Sequence, residues 1–249
     1  MKNQYIGDVG DYGKYGLLRF LAANGVTVGV NWYLTKDDPA SNDGNINQYL
    51  KDDAERAYDP VVFDRMRQIV FEQKEKKHVG MIEAAGILPR ASFYSEVLST
   101  DGVTWRERKR IREQWHGRAM DALAGAELVF ADPDTGTAEK TTRKGSDQYA
   151  DVHELADYYK KRSQDIVYYC HRARRTNEAW SRKKAELRKL LPDAALFVLT
   201  FRRGMQRSYI FAVHPGRAEK YRALIDSFLT TPWGSGLGGK RPPFSEESV

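Results

Sequence analysis

The sequence predicts an α/β fold, a three-layer sandwich in which a mostly parallel sheet lies between two layers of helices. Apolar, β-branched segments recur along the 249 residues, and segments with the helical period of apolar residues separate them. Strands and helices that alternate in this way favour a parallel sheet. A short turn joins the last two predicted strands, which is typical of an antiparallel pair. We therefore expect a mostly parallel sheet with an antiparallel last strand.

The first predicted elements are a helix and a buried strand. Apolar residues at helical spacing predict a helix over 13–23, and Asn24-Gly25 is a typical helix stop. The segment VTVGVNWYL (26–34) is β-branched and aromatic, as buried strands are. Proline and glycine then mark 35–45 as a polar loop. The next predicted elements are a helix over 60–78, a short strand near 92–94, and a basic helix over 104–124.

The second half of the chain continues this alternation. The segment AELVFADPDTG (126–136) predicts a buried strand that runs into a turn, and 194–215 predicts two strands joined around Arg202 and Arg203. The other predicted elements are a helix over 151–162, a strand over 164–172, a basic helix over 176–191, and a last helix over 216–229. We expect residues 1–230 to form a single catalytic domain. The glycine- and proline-rich segment 231–249 is expected to be a flexible C-terminal tail.

Charge and cysteine content limit the classes of function. The formal net charge of +6 favours a polyanionic partner. The single cysteine, Cys170, excludes an internal disulfide and a thiolate zinc site, and five histidines are few for a transition-metal centre. The N-terminus lacks a signal-peptide pattern, and no apolar run approaches the roughly 18 residues of a membrane helix. We therefore expect a cytoplasmic protein that binds nucleic acid, DNA rather than RNA, with no metal, no membrane and no obligate protein partner.

Three stretches carry a resemblance to a known superfamily. They are GDVGDYGKYGLL (7–18), LVFADPD (128–134) and SYIFAVHPGRAEKYRALIDSFL (208–229). The pattern is similar to the class I S-adenosylmethionine-dependent methyltransferases and most similar to the bacterial large-subunit ribosomal RNA adenine-N6 methyltransferases. The first stretch resembles the Gly, Asp and Lys pattern of that family before its first helix, the second its strand-borne Asp-Pro-Pro-Tyr motif, and the third its final strand and closing helix. The resemblance implies a Rossmann-like scaffold, with a flipped adenine held near Asp132 and Lys14.

Two features depart from the pattern of this superfamily. Its members hold the cofactor with a glycine-rich turn after the first strand, whereas here that strand continues into NWYLTKDDPASNDG (31–44). Without closely spaced glycines the backbone cannot approach a cofactor in the usual way. In addition, Pro133 is followed by Asp134, so a second carboxylate replaces the second proline and the stacking ring. We therefore expect no cofactor, with S-adenosylmethionine as the alternative.

The candidate catalytic residues lie mostly at predicted strand ends, where ligands of open α/β sheets bind. Asp132 and Asp134 can activate water or stabilise positive charge on a sugar, or one of them can simply cap the turn. His171 can act as an acid, a base or a hydrogen-bond donor, or be satisfied by a carbonyl. Lys14 lies in the Gly-rich segment and can pair with an anion. The alternative is a flexible start of the first helix with Asp11 as its N-cap.

Basic and aromatic residues predict the contacts with nucleic acid. Basic residues of 106–118 and 172–184 are interleaved with Trp105, Trp115 and Trp180, which suits phosphate contact and base stacking, although two helices with solvated charges would look the same. The predicted nucleic-acid-binding residues are Asp11, Tyr12, Arg172, Arg202, Arg203 and Arg207. The predicted base pocket is Trp32, Tyr33, Asp37 and Asp43, where Asp37 and Asp43 would equally suit a solvated turn or a hard-cation site.

These residues support three functions. The first is a base-excising hydrolase, similar to a DNA glycosylase, which needs a pocket for a flipped base, an acidic group and a basic surface. The second is an S-adenosylmethionine-dependent adenine methyltransferase with divergent motifs, and the third is a non-catalytic nucleic-acid-binding protein. A metal nuclease ranks lower, because Lys140 directly follows Glu139 after Pro133-Asp134 and this spacing is wrong. Defence against foreign DNA is one role that such an enzyme would suit.

Overall fold

The computed structural model describes residues 1–41, 43–73, 76–138, 141 and 145–249. The strands are β1 (Val28–Asn31), β2 (Ser92–Tyr94), β3 (Leu128–Ala131), β4 (Gly136–Ala138), β5 (Tyr149–Asp151), β6 (Asp165–His171), β7 (Ala195–Phe201), β8 (Arg207–Val213) and β9 (Phe244–Glu246). The helices are α1 (Val9–Ala23), α2 (Pro60–Phe71), α3 (Val79–Ala84), α4 (Trp105–Ala122), α5 (Val152–Arg162), α6 (Asn177–Lys184), α7 (Ala218–Thr230) and α8 (Pro232–Ser235). Glu139 and Lys140, which end the nuclease pattern, lie outside the described residues.

Seven strands form one mixed sheet in the order β2-β1-β3-β6-β8-β7-β9. The first four of these are parallel to one another, while β8 is antiparallel to both β6 and β7. β9 adds a further antiparallel strand beside β7. The predicted α/β fold with a mostly parallel sheet and an antiparallel strand late in the chain is thus confirmed. β4 and β5 form a separate two-stranded parallel sheet.

The sheet separates two hydrophobic clusters, one on each face. Side chains of a strand alternate between faces, so Leu128 and Phe130 of β3 belong to one cluster and Val129 and Ala131 to the other. Helices α1, α2, α3, α7 and α8 cover the first face, and α4, α5 and α6 cover the second. This arrangement is the three-layer sandwich that the sequence predicts. In the described part of the chain, every helix is too short or too polar to span a bilayer.

Helix α1 begins earlier than its apolar periodicity suggests, because Asp8 caps it by accepting a hydrogen bond from the Gly10 nitrogen at 2.9 Å. The glycines of the GDVGDYGKYG segment therefore lie at its start and within the helix. They serve close packing, since a Cβ at Gly13 would lie 2.6 Å from Phe201 and one at Gly16 would lie 2.5 Å from Trp233. The segment is not a flexible start of the helix, and Asp8 rather than Asp11 is the N-cap.

The end of the chain differs from the flexible tail expected for 231–249. It contains α8 and β9, and the exposed fractions of Trp233 and Phe244 are 3% and 1%. The Phe244 ring centroid lies 5.0 Å from that of Phe201 and 5.1 Å from that of Phe228. The glycine and proline content suggested disorder, but two large aromatic side chains bury enough apolar surface to anchor the segment.

We predict that Phe244→Ala destabilises the protein by about 3–5 kcal/mol, because the truncation leaves a cavity in this aromatic cluster. Chemical denaturation followed by circular dichroism measures the change in the free energy of unfolding. The control is Val249→Ala in the same segment, which removes a side chain that is 41% exposed and should change stability little. A loss below about 1 kcal/mol for Phe244→Ala would show that the segment is not anchored.

Candidate functional site

A cavity of about 540 Å³ opens at the carboxyl ends of β3 and β6, beside the N-terminal turns of α1. Its polar and aromatic lining consists of Tyr5, Asp8, Asp11, Lys14, Asp43, Asn45, Asp132, Asp134, Tyr169, His171 and Arg207. A more open cavity of about 580 Å³ lies between α2 and α3, and its described lining contains no carboxylate. We regard the first cavity as the functional site, because ligands of open α/β sheets bind at the carboxyl ends of strands.

Lys14 is the centre of the polar network in this cavity. Its Nζ lies 2.8 Å from Oδ1 of Asp11 and 2.6 Å from Oδ2 of Asp132, and all three side chains are at most 6% exposed. Burial alone would lower the pKa of Lys14, but the two carboxylates raise it well above its usual value. Burial raises the pKa of Asp11, while Lys14 acts in the opposite direction. Lys14 therefore stays charged and is held in place between α1 and the end of β3.

Asp134 is held separately from Asp132, although both follow β3. The Met1 nitrogen lies 2.5 Å from Oδ1 of Asp134, and the Thr35 hydroxyl donates to Oδ2 at 3.4 Å. The Asp134 side chain is only 6% exposed. Each carboxylate thus has its own cationic partner, which allows two negative charges to remain close together at the edge of one cavity.

Met1 fills the crevice between the carboxyl ends of β1 and β3. Its nitrogen donates to the carbonyl of Tyr33 at 3.1 Å and to the carbonyl of Asp132 at 2.8 Å. The Thr35 nitrogen donates to the Met1 carbonyl at 2.9 Å, and Met1 is 3% exposed. The chain runs from β1 outward to β2 and then crosses back past β1 to β3 on its other side. The crevice between β1 and β3 is therefore the topological switch point of the sheet, where α/β proteins commonly bind cofactors.

Two buried aromatic side chains, Trp32 and Tyr33, follow β1. Tyr33 adopts a φ of 43°, a left-handed conformation that is costly for a residue other than glycine. Its hydroxyl donates to Glu154 at 3.1 Å, and the Trp32 indole donates to Glu83 at 2.8 Å. Both side chains are fully buried. They form part of the two hydrophobic clusters and do not line the cavity.

The other two residues predicted for a base pocket are divided. Asp43 lines the cavity. Asp37 does not, because it accepts a hydrogen bond from the Gln4 nitrogen at 3.2 Å and pairs with Lys76 at 3.2 Å. The structure therefore brings Asp43 together with Asp132 and Asp134, and it holds Asp37 in the loop beside them.

The residues at the switch point differ from the glycine-rich turn that holds S-adenosylmethionine in the methyltransferases. The crevice at the ends of β1 and β3 is occupied by Met1, whose backbone bonds to the carbonyls on both sides. The turn after β1 uses Tyr33 with its buried ring instead of a glycine, so the backbone there is covered rather than open. The described residues also contain no cluster of three or more His, Cys, Asp or Glu side chains placed to hold a metal ion.

His171 lies at the end of β6 and lines the cavity beside Tyr169. Burial lowers the pKa of His171, and the positive charges of Arg207 and Arg175 lower it further. The imidazole is therefore neutral at neutral pH and can donate or accept a hydrogen bond. Tyr169 and His171 share one face of the strand because they are two residues apart. This spacing is the sequence signal that could have added Tyr169 to the candidates.

The predicted nucleic-acid-binding residues mostly form contacts within the protein. Arg202 pairs with Glu247 at 3.1 Å, Arg203 pairs with Glu55, and Nη2 of Arg207 donates to Asp8 at 2.6 Å. The Tyr12 hydroxyl donates to the Glu55 carbonyl at 2.6 Å. Asp11 pairs with Lys14, and Arg172 donates to Asn177. Of these six residues, Asp11 and Arg207 line the cavity.

Sequence reasoning missed several residues of the site. Met1 and Tyr5 line the cavity together with Tyr169. Asp8, which the sequence places with Asp11 and Lys14 in the Gly-rich segment, lines it as well, and an acidic residue before an apolar, helical segment is a helix-cap signal. Met1 and Tyr5 carried no such signal, because their place beside β3 depends on how the first residues cross the sheet edge.

No protein-family model matches the sequence, and no curated protein matches it. Among solved structures, the chain is similar to protein LPL1258 from Legionella pneumophila str. Philadelphia 1, for which the family model is DUF519. The two sequences are 12% identical, the match covers 97% of each chain, and the TM-score is 0.49. The site is therefore interpreted from its own geometry.

We predict that Lys14→Met destabilises the protein by about 3–5 kcal/mol near neutral pH, because Asp11 and Asp132 lose their buried partner. Burial raises the pKa of the Asp11 carboxyl, and the variant lacks the lysine that opposes this effect. In the variant, the folded state therefore binds a proton on Asp11 more tightly than the unfolded state does. The difference in the free energy of unfolding between the unaltered protein and the variant should therefore become smaller as the pH falls from about 7.5 to about 5.5. Urea denaturation of both proteins at both pH values measures this difference.

The control for this prediction is Lys36→Met, which removes a lysine paired with exposed Asp101 and should change stability little at either pH. If Lys14→Met lost the same free energy of unfolding at both pH values, unpaired carboxylates would not be the cause of its instability.

We also predict that the protein does not bind S-adenosylmethionine at about 1 mM, the upper end of usual enzyme KM values, because Met1 fills the crevice. Equilibrium dialysis with the radiolabelled compound measures this. Saturable binding in the micromolar range would show that the N-terminal segment moves aside and that the crevice is open to a cofactor.

Proposed function

We propose that the protein is a nucleic-acid hydrolase that takes one flipped nucleotide into the cavity and cleaves its N-glycosidic bond without a cofactor. The observation that carries this proposal is the Lys14-Asp132 pair, which holds a buried carboxylate at a strand end while Met1 fills the cofactor crevice. Such a hydrolase needs a pocket, a carboxylate and a water molecule, and it needs no bound cofactor.

The charge of the cavity favours a sugar and base over a phosphate. Its carboxylates are those of Asp8, Asp11, Asp43, Asp132 and Asp134, while its cationic groups are Lys14, Arg207 and the Met1 amino group. An excess of negative charge repels phosphate but stabilises positive charge that develops on the sugar ring. Cleavage of a glycosidic bond passes through a transition state of this kind. The cavity is therefore suited to the reaction at the sugar, with phosphates left outside.

The residues of the cavity suggest a division of roles. Asp132, oriented by Lys14, stabilises the sugar cation and directs a water molecule to C1′. The water oxygen bonds to C1′ as the C1′–N bond breaks, and the base leaves with the electron pair of that bond. The proton lost by water passes to the Asp132 carboxylate and from there through solvent to the base, which is released neutral. Neutral His171 is placed to hydrogen-bond the leaving base, and Tyr5 and Tyr169 provide ring surfaces for it.

The methyltransferase alternative shares the flipped base and the Asp132 site. It requires S-adenosylmethionine beside that base, and the filled crevice disfavours it. The non-catalytic alternative predicts that Asp132 has no effect on any reaction.

We predict that Asp132→Asn lowers the rate of base release at least about 100-fold, because the amide neither stabilises the cation nor accepts a proton. Nucleic-acid affinity should stay within a few-fold, since Asp132 lies inside the cavity and not on the surface. Alkali-sensitive abasic sites in DNA, resolved on a denaturing gel, measure the first quantity, and fluorescence anisotropy measures the second.

The matched control is Asp101→Asn, which removes an exposed carboxylate outside the cavity and should retain full activity. A thermal melt of each variant separates loss of chemistry from loss of folding. If Asp132→Asn released base at the rate of the unaltered protein, the strand-end site would be excluded as the reactive centre.

A further inference from the structure

Trp105 is exposed to an unusual degree. It begins α4 and is 62% exposed. The sequence contains five tryptophans, and each of the others is at most 3% exposed; these are Trp32, Trp115, Trp180 and Trp233. The basic helices of the sequence thus place two of their three tryptophans in the core and only Trp105 at the surface. An indole ring left in water at a charged surface is suited to stacking against another planar group.

Two arginines accompany Trp105 on the same helix. The Arg106 guanidinium lies 5.4 Å from the centroid of the Trp105 ring, and Arg110 follows one turn later. Both arginines are exposed, and neither forms an ion pair with another residue of the described ranges. They contrast with Arg202, Arg203 and Arg207, whose guanidinium groups are already paired inside the protein. Trp105, Arg106 and Arg110, named here the α4 patch, therefore form a surface with free positive charge.

The α4 patch lies at the edge of the sheet where the cavity opens. Parallel strand β2 ends at Tyr94, and the chain reaches α4 through a loop on that edge. Asp101 of this loop lies 3.4 Å from Lys36. Lys36 follows Thr35, whose hydroxyl donates to Asp134 in the cavity. A short series of contacts thus connects the segment before α4 with the carboxylates of the site.

We propose that the α4 patch holds an unpaired stretch of DNA next to the nucleotide that enters the cavity. A base stacks on Trp105, and Arg106 and Arg110 contact the phosphates on either side of it. An unpaired strand is favoured because base faces are free to stack on an indole only outside a duplex. The separation of charge agrees with this arrangement, since the cavity is acidic and the patch outside it is basic. The identity of the nucleotide in the cavity rests on the proposed function, whereas the contact surface does not.

The test uses the full chain and a mixed-sequence single-stranded oligodeoxynucleotide. Because the other four tryptophans are buried, quenching of intrinsic fluorescence on binding reports mainly on Trp105. We expect Trp105→Ala to weaken the affinity roughly tenfold or more, from the usual loss of one stacked base. Trp105→Phe should keep most of the affinity while losing the fluorescence change. Arg106→Ala combined with Arg110→Ala should reduce the slope of log affinity against log salt by about 1.4.

Matched controls separate the patch from general effects of charge and exposed rings. Phe71→Ala removes an aromatic side chain that is 46% exposed at the end of α2. Lys160→Ala combined with Lys189→Ala removes two exposed charges near the starts of β6 and β7, at the opposite edge of the sheet. Neither control should change affinity or salt slope as the α4 variants do.

The proposal for the α4 patch would be overturned if Trp105→Ala bound the single strand with unchanged affinity. It would also be overturned if the α4 variants and their controls had equal effects on that affinity. Equal binding of duplex and single strand without fluorescence quenching would do the same, as would binding to anionic vesicles or protein in place of DNA. Base release by the same variants distinguishes the two proposals. If the α4 variants bind DNA more weakly but the unaltered protein releases no base, the α4 patch is retained and the hydrolase is excluded. If the unaltered protein releases base but the α4 variants bind DNA as well as it does, the hydrolase is retained and the α4 patch is excluded.

Discussion

The buried ion pairs of Lys14 hold the functional site together. Lys14 belongs to α1 and Asp132 follows β3, so the 2.6 Å contact between them fixes the helix against the strand end. A charge at this depth is stable only because two carboxylates are paired with it, and those carboxylates are retained only because of the lysine. The glycines of α1 make the contact geometrically possible, since a Cβ at Gly10 or Gly13 would collide with Arg207 or Phe201.

The same packing separates two places that α/β proteins commonly use for ligands. Met1 fills the switch point between β1 and β3, and the open cavity lies one strand further along, between β3 and β6. Asp132 faces that cavity through its side chain while its carbonyl binds Met1. Asp132 therefore adjoins both the crevice that Met1 fills and the open cavity.

Much of the fold followed from the sequence, because strand composition and helical period act locally. The rule that ligands bind at strand ends also led to Asp132, Asp134 and His171, which the structure places in one cavity. Contacts between distant residues were not predictable in this way. Arg203 was expected to face nucleic acid, but it pairs with Glu55, 148 residues earlier in the chain. Trp32 and Tyr33 were expected in a pocket, yet they complete the two hydrophobic clusters, and no periodicity distinguishes these outcomes.

We propose that the Asp132 carboxylate, paired with Lys14, drives base excision without a cofactor. Mass spectrometry of free bases and nucleosides, after incubation of natural and modified DNA with the protein, tests this most directly when S-adenosylmethionine is present in one sample and absent from the other. We expect free base in both samples, matched by an equal number of abasic sites. A gain of one methyl group on DNA that occurs only with S-adenosylmethionine, and no free base, would contradict it.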